Sequence, residues 1–434
     1  MVKVTKFGGS SLADSYQFKK VKDIIFADSL RKVVVVSAPG KRNKDDNKIT
    51  DLLYLLEAHL KYGVDYKPIY KTIKDRFFEI KNNNNISFDL DKEFEELEKH
   101  FNKNISEEFL VSRGENITAK LLASYLNYVF MDAQDLIKFK YDGTLDEIAT
   151  NKAILEAFNK NNNLVIPGFY GAYPNGSIKL LSRGGSDVTG AIVSSAISAS
   201  LYENWTDVSG IKVVDPKIIA NPKQINEITY DELRELSYMG ASVLHEETIF
   251  PVQELNIPIK ILNTNAPNEE GTTIYQNCQD KETIITGIAG KKDFTSFNIV
   301  KNRLSSKADL ILKVLQIFNK FHINVEHIPT GIDTFSVVVM TSELDKCYFD
   351  LLGELNKLED INKLDVEGEI ALVAVVGRNM ALKPGTSGKI FALLGENDIN
   401  IKMIAQGANE INIIVGVKNS DFEKTIKVIY ENLA

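Results

Sequence analysis

The chain has 434 residues, 44% of them hydrophobic and 25% charged, with a formal net charge of −8. That length points to about two to four domains, and the composition is that of globular proteins rather than disordered or membrane ones. No apolar run approaches the roughly 18–20 residues that span a bilayer, and the acidic balance disfavours nonspecific nucleic-acid binding.

Small anionic substrates stay open, because a local cluster of Lys and Arg can outweigh a mildly acidic total. Cys278 and Cys347 are too few for a disulfide framework, and no Cys/His spacing suggests zinc. Met1 to Lys6 runs straight into a strand-like pattern without a secretory signal, so a cytoplasmic protein is expected.

In chain order, the first glycine-rich turn is Lys6-Phe7-Gly8-Gly9-Ser10-Ser11, after a strand and before a helix. Glycines let backbone N–H groups approach a phosphate, and a helix N-terminus favours negative charge. A bare tight turn explains the same residues equally well, and no Walker A spacing occurs. The β-branched run Val33 to Val36 ends in Ser37-Ala38-Pro39-Gly40, and Asp51 to Lys61 reads as a helix.

Asp45-Asp46 and the acidic cluster Glu93 to Glu98 read as exposed faces, and the Asn82 to Asn85 and Asn161 to Asn163 runs as solvated turns. Val111-Ser112-Arg113-Gly114-Glu115 reads as a turn before a helix over Ile117 to Phe130. Asn163 to Phe169 repeats the strand pattern. Ser182-Arg183-Gly184-Gly185-Ser186-Asp187 is a second glycine turn opening a small-residue helix, with an Arg able to fork onto a carboxylate or phosphate. Thr206-Asp207-Val208-Ser209-Gly210-Ile211 and Asp215-Pro216-Lys217 follow. Apolar strands alternating with glycine turns and helices predict a mainly parallel sheet covered on both faces. His245 lacks a second His at metalloprotease spacing and reads as structural or capping, and His322 as solvated.

The last third of the chain contains an internal repeat. Residues 298–340 align without a gap onto 374–416, with Lys313 to Ile328 over Lys389 to Ile404 and Phe335 to Met340 over Ile411 to Gly416. Each copy reads strand, helix, strand, strand, helix. The first copy has a further strand near Leu364 to Glu369. A strand at Thr283 to Ile288, ahead of the first copy, is expected to complete the second, so that one copy is inserted in the other. This βαββαβ pattern resembles the ACT domain, a module that binds amino acids at paired interfaces.

Taken together, Lys6 to Ser11, Val111 to Glu115, Arg183 to Asp187 and Thr206 to Ile211 resemble the aspartokinases within the amino-acid kinase superfamily. Phe169-Tyr170-Gly171 and Gly240 to His245 fall where that family has related segments. The resemblance covers the whole chain. It implies a three-layer α/β/α kinase domain over 1–283 and a tandem ACT region over 284–434. The first ACT copy is expected at about 298–368, and the second at about 369–434, completed by 284–297.

The resemblance also implies roles. Lys6 with Gly8, Gly9 and Ser10 would hold the transferring phosphoryl group of ATP. Glu115 would pair with the aspartate ammonium and Arg183 with its α-carboxylate. Ser37 and Thr50 would lie near the substrate and phosphates. Ser186 and Asp187, with Gly184 and Gly185, would organise the reacting carboxylate, the γ-phosphate and Mg2+, which would be held mainly through phosphates rather than a protein metal cluster. Thr206, Asp207, Lys212 and Lys217 would lie by the nucleotide.

Leu304, Lys307, Asn324, Val325 and Glu326 would meet an amino-acid effector, lysine before threonine, although Glu326 reads equally as a surface residue on a strand. The implied protein makes 4-phospho-L-aspartate on the route to lysine, threonine and methionine. It pairs as a dimer through its ACT domains, with a tetramer as the further option, and carries no homoserine dehydrogenase half.

The chemistry is consistent with those residue types. A side-chain carboxylate titrates near ~4 and is already an anionic nucleophile, so no catalytic His is needed. The task is to bring two anions together, which calls for cations and oriented donors. Ser242 departs from the family, where a lysine associated with the nucleotide phosphates is common, and Lys212 stands where an aromatic is common. Two rival readings remain: a non-catalytic amino-acid sensor, and a kinase for another small acid such as glutamate or a nucleotide.

Overall fold

The computed structural model describes residues 1–434 except 182–183, 242–243, 245–249, 279, 281, 303, 305–307 and 434. Arg183, Ser242, His245 and Lys307 therefore lie outside the described residues. Two compact units emerge: residues 1–211, 224–230 and 243–278 form one, and 212–223, 231–242 and 279–434 the other. No helix among the described residues is long and apolar enough to cross a membrane.

The first unit is built on an eight-stranded sheet. Its strand order is Glu227–Thr229, Thr272–Tyr275, Ile259–Asn263, Leu201–Thr206, Lys3–Phe7, Arg31–Val36, Leu164–Pro167 and Val129–Phe130. All its pairings are parallel except that of Ile259–Asn263 with Thr272–Tyr275. The central strands are β-branched and apolar, and Val33 to Val36 are fully buried, as a sheet covered on both faces requires. On one face Phe7, Val34, Val36 and Trp205 pack under helices Ser15–Phe26, Ile49–Tyr62 and Glu107–Leu126. Helix Gly185–Ala196 covers the other.

Two expectations need correction here. Val111 to Glu115 is not a turn but the interior of helix Glu107–Leu126. Ser106 caps that helix by accepting from the Phe109 N–H, and Glu107 and Glu108 suit its positive N-terminus. Gly114 misled the reading: a Cβ there would sit 2.9 Å from the Ala38 Cβ, so glycine serves close packing rather than a bend. Asp46 is not a solvated face residue either, because the buried guanidinium of Arg76 binds both its oxygens at 2.7 and 2.6 Å.

The second unit carries a five-stranded antiparallel sheet, ordered Thr334–Met340, Gly287–Val300, Lys363–Val376, Asn412–Lys418 and Met403–Gln406. The two 14-residue strands are shared between the repeat copies. Phe294 to Val300 pairs with Thr334–Met340, whereas Gly287 to Lys291 pairs with Leu372 to Val376. The segment ahead of the first copy thus supplies the outer strand of the second. It begins at Gly287 rather than Thr283. A register shift near Lys291–Phe294, with Asp293 at φ +68°, separates its two halves.

Residues 212–223 and 231–242 join this unit through specific bonds. The fully buried Glu232 pairs with Arg378 at 2.9 Å, the Lys223 N–H donates to the Tyr430 hydroxyl, and the Ile288 N–H donates to the Val213 carbonyl. His322, at φ +57°, is exposed at the end of its helix.

Candidate active site

Strands Leu201–Thr206, Lys3–Phe7, Arg31–Val36 and Leu164–Pro167 end together, with Phe7 in register with Trp205 and Val36, and Val36 with Pro167. Their carboxyl ends, where the chain leaves the central strand to either side, are where ligands settle in such sheets. A cavity of about 590 Å3 lies there.

Lys6 reaches it from the end of the central strand, 7% exposed. The chain then turns: the Gly8 N–H donates to the Trp205 carbonyl at 3.0 Å, and the Gly40 N–H to the Gly9 carbonyl at 2.8 Å. A Cβ on Gly40 would meet Gly9 backbone atoms at 2.7 Å, so only glycines let the two turns touch. Gly184, at φ +78°, caps helix Gly185–Ala196 and sets Asp187 in its first turn, where the helix dipole favours an anion. The Lys6 ammonium lies 2.6 Å from the Asp187 carboxylate, which also accepts from the Asn204 amide at 2.9 Å.

Glu115 comes from the middle of its helix and is 4% exposed. Burial pushes its carboxyl up to about 8, against the opposing pull of the Ala38 N–H that donates to it. Its Oε2 has no hydrogen-bond partner among the described residues. A buried acceptor left unpaired is costly and marks a place for a donor. Phe169, also lining the cavity, takes φ +78°, and its N–H donates to Thr189 Oγ1.

The cavity gathers Lys6, Gly8, Gly9 and Ser10 from the first turn, Ser37 from the next, and Thr50 from the start of helix Ile49–Tyr62. Glu115, the Gly184-Gly185-Ser186-Asp187 turn, Thr206 and Asp207 complete its wall. Lys212 and Lys217 fall in the other compact unit.

Sequence reasoning missed Asn204, Lys41 and Lys48. Asn204 was detectable as an amide inside a buried central strand; the lysines carried no local signal. In the second unit, Leu304 is buried. Asn324 donates from its backbone and its amide to Glu343, and the Glu326 carboxylate is hydrogen-bonded by Tyr238.

The amino acid kinase family model matches residues 1–263, and an ACT domain model matches 373–433. Aspartokinase 3 of Bacillus subtilis is 34% identical over 448 residues, covering 99% of this chain and 98% of that protein. The crystal structure of Clostridium acetobutylicum aspartate kinase superposes with a TM-score of 0.93 at 46% identity, covering 100% of both chains. Escherichia coli aspartokinase III superposes in two states. Its complex with aspartate and ADP gives 0.76 at 25% identity over 100% of both chains. Its complex with lysine and aspartate gives 0.77 at 26%, over 100% of this chain and 99% of that one. With the kinase model matching residues 1–263 and relatives matching the chain end to end, the chain belongs to the aspartokinase family of amino acid kinases and is an enzyme of that kind.

Proposed function

We propose that this cavity transfers the γ-phosphoryl group of ATP to the side-chain carboxylate of L-aspartate, giving 4-phospho-L-aspartate and ADP. The observation that carries the reading is the layout of charge in the cavity. A lysine paired to a helix-borne aspartate stands at the end of the central strand, and a buried, half-unpaired glutamate lines the side toward strand Arg31–Val36. The complexes of the Escherichia coli relative with aspartate and ADP support it.

An aspartate side chain, titrating near ~4, reacts as the carboxylate, so no proton moves. One of its oxygens bonds to the γ-phosphorus while the bond to the β–γ bridging oxygen breaks, and that electron pair leaves with ADP. The Lys6 ammonium and the Gly9 backbone offset charge on the phosphoryl oxygens, and Asp187 with Asn204 holds Lys6 in place. Glu115 receives the substrate ammonium. Arg183 takes its α-carboxylate, Ser37, Thr50 and Ser186 hold the reacting end, and Thr206 and Asp207 serve the nucleotide. Asp187 and Asp207 offer the carboxylate oxygens that suit a hard cation. Mg2+, when bound with the nucleotide, would neutralise the β- and γ-phosphate charge.

The second unit is the sensor. Lysine, before threonine, binds the first repeat copy near Leu304, Lys307 and Asn324 to Glu326, with Glu326 receiving its ammonium. The lysine complex of the Escherichia coli relative supports this. Two chains pair through these repeats, in the cytoplasm, at the head of lysine, threonine and methionine synthesis. An ADP-release assay against aspartate, glutamate and nucleoside monophosphates tests the reading. Turnover confined to aspartate is expected; turnover with glutamate or a nucleotide instead, or with no acceptor, overturns it.

A further inference from the structure

The loop over residues 41–48 joins strand Arg31–Val36 to helix Ile49–Tyr62 and borders the cavity on the side away from Thr206 and Asp207. It is anchored firmly for an exposed loop. Arg76, 3% exposed, donates from Nη1 to the Gly40 and Ala13 carbonyls at 3.0 and 3.2 Å, and from Nη2 to both oxygens of Asp46. Arg42 closes the same network, donating from its backbone N–H and Nε to Asp46 and from Nη1 to Glu79. Against the opposing pull of burial, the hydrogen bonds from Arg42 and the nearby Arg76 hold the Asp46 carboxyl well below the usual carboxylate range.

The cations of this loop therefore divide by task. Arg42 is consumed in holding the loop. Lys41 and Lys48 are exposed, line the cavity, and have no ion-pair partner among the described residues. Lys48 also precedes helix Ile49–Tyr62, whose N-terminal N–H groups favour an anion. Among the described residues that line the cavity, Glu115 is the one carboxylate on this side, and the proposed function gives it the substrate ammonium. A dicarboxylate acceptor brings two negative charges here and must approach a third on the γ-phosphate.

We propose that Lys41 and Lys48, carried on this pinned loop, draw the acceptor amino acid into the cavity beside the groups that hold its carboxylates and select for a dianionic substrate, with Arg76 and Asp46 as positioning residues. This rests on the reading of the cavity as an aspartate kinase site. Two ammonium groups at a rim act as point charges on flexible stems, so they attract and select without fixing a single geometry.

The test is steady-state kinetics of the full chain carrying Lys41→Met, Lys48→Met or both, with Lys→Arg controls. KM for aspartate should rise about fivefold to tenfold per lysine, a charge-assisted contact weakened by solvent. KM for ATP should stay within about twofold, and the Arg variants should recover most of the loss. The salt dependence of KM for aspartate should flatten in the double variant. Asp46→Asn should raise the same KM in the wild-type background and add little to the double variant, since it acts through the lysines.

An unchanged KM for aspartate in the double variant, or a larger change in KM for ATP, overturns the proposal. An additive effect of Asp46→Asn overturns the positioning role. A wild-type chain without aspartate-dependent turnover overturns the parent reading instead.

Discussion

The ammonium of Lys6 and the carboxylate of Asp187 lie 2.6 Å apart, joining the end of the first strand to the first turn of a helix far along the chain. Asn204, from the neighbouring strand, binds the same carboxylate. Three segments thus converge on one charged point, with two glycine turns around it. Lys6→Met removes a full positive charge from where phosphoryl charge develops. Turnover should fall by at least about 10²–10³-fold, the usual cost of one such donor. Steady-state kinetics beside a melting curve separates this from unfolding: loss of kcat with the melt retained is expected.

Glu115 makes aspartate affinity depend on pH. Held up to about 8 by burial, its carboxyl is protonated in the free protein at pH 6 and must ionise to meet an ammonium. KM for aspartate should fall as pH rises from about 6 to 8, by at most about tenfold per unit, and level off above. Glu115→Gln should abolish the slope. A wild-type KM for aspartate that stays flat across this window would refute the ammonium role.

The same shift has an opposite consequence for stability. The folded state keeps a proton that the unfolded chain releases near ~4.3. Stability from this group is full below that value and is lost as pH rises toward 8. Glu115→Gln should therefore melt above wild type at pH 8, with the gap narrowing toward pH 5, as calorimetry can follow.

Gly114→Ala sets helix propensity against packing. Alanine favours a helix interior by about 1 kcal/mol over glycine. Its Cβ would sit 2.9 Å from the Ala38 Cβ and 3.1 Å from Leu53 Cδ1, inside a closed core. Overpacking of that kind costs about 1–3 kcal/mol and should win. Because Ala38 belongs to the turn that lines the cavity, denaturant melts should show lower stability together with a raised KM for aspartate.

In the second unit, Tyr238 holds the carboxylate of Glu326 that an effector ammonium would need. Burial first, then Glu326 itself, push the Tyr238 hydroxyl well above its usual range, so it stays a donor at neutral pH. Tyr238→Phe removes this competitor. Inhibition by lysine should then set in at several-fold lower concentration, and unchanged inhibition would place the effector elsewhere.

Much of this architecture was legible because it repeats local patterns. The buried run Val33 to Val36 and its glycine-bearing turn signal a parallel strand wherever they occur, and the repeat at 298–340 and 374–416 carried its own alignment. What stayed hidden depends on partners distant in sequence. Asp46 looks like a surface charge until Arg76, thirty residues on, is seen beneath it. The Ser112-Arg113-Gly114 triplet carries turn-forming residues, yet the Ser106 cap and the apolar residues around it commit the segment to a helix. Lys41 and Lys48 have no neighbours in sequence that distinguish them from any solvated lysine. Glu232 reads as one charge on a polar helix, and only the fold brings Arg378 to it.

A carboxylate and a nucleoside triphosphate are expected to react in the cavity around Lys6 and Asp187. Trapping with hydroxylamine reads out this reaction, because an acyl phosphate becomes a hydroxamate. Aspartyl hydroxamate is expected in the presence of ATP and aspartate, formed in step with ADP and lost in Lys6→Met. ADP release without hydroxamate, or hydroxamate that persists undiminished in Lys6→Met, would contradict it.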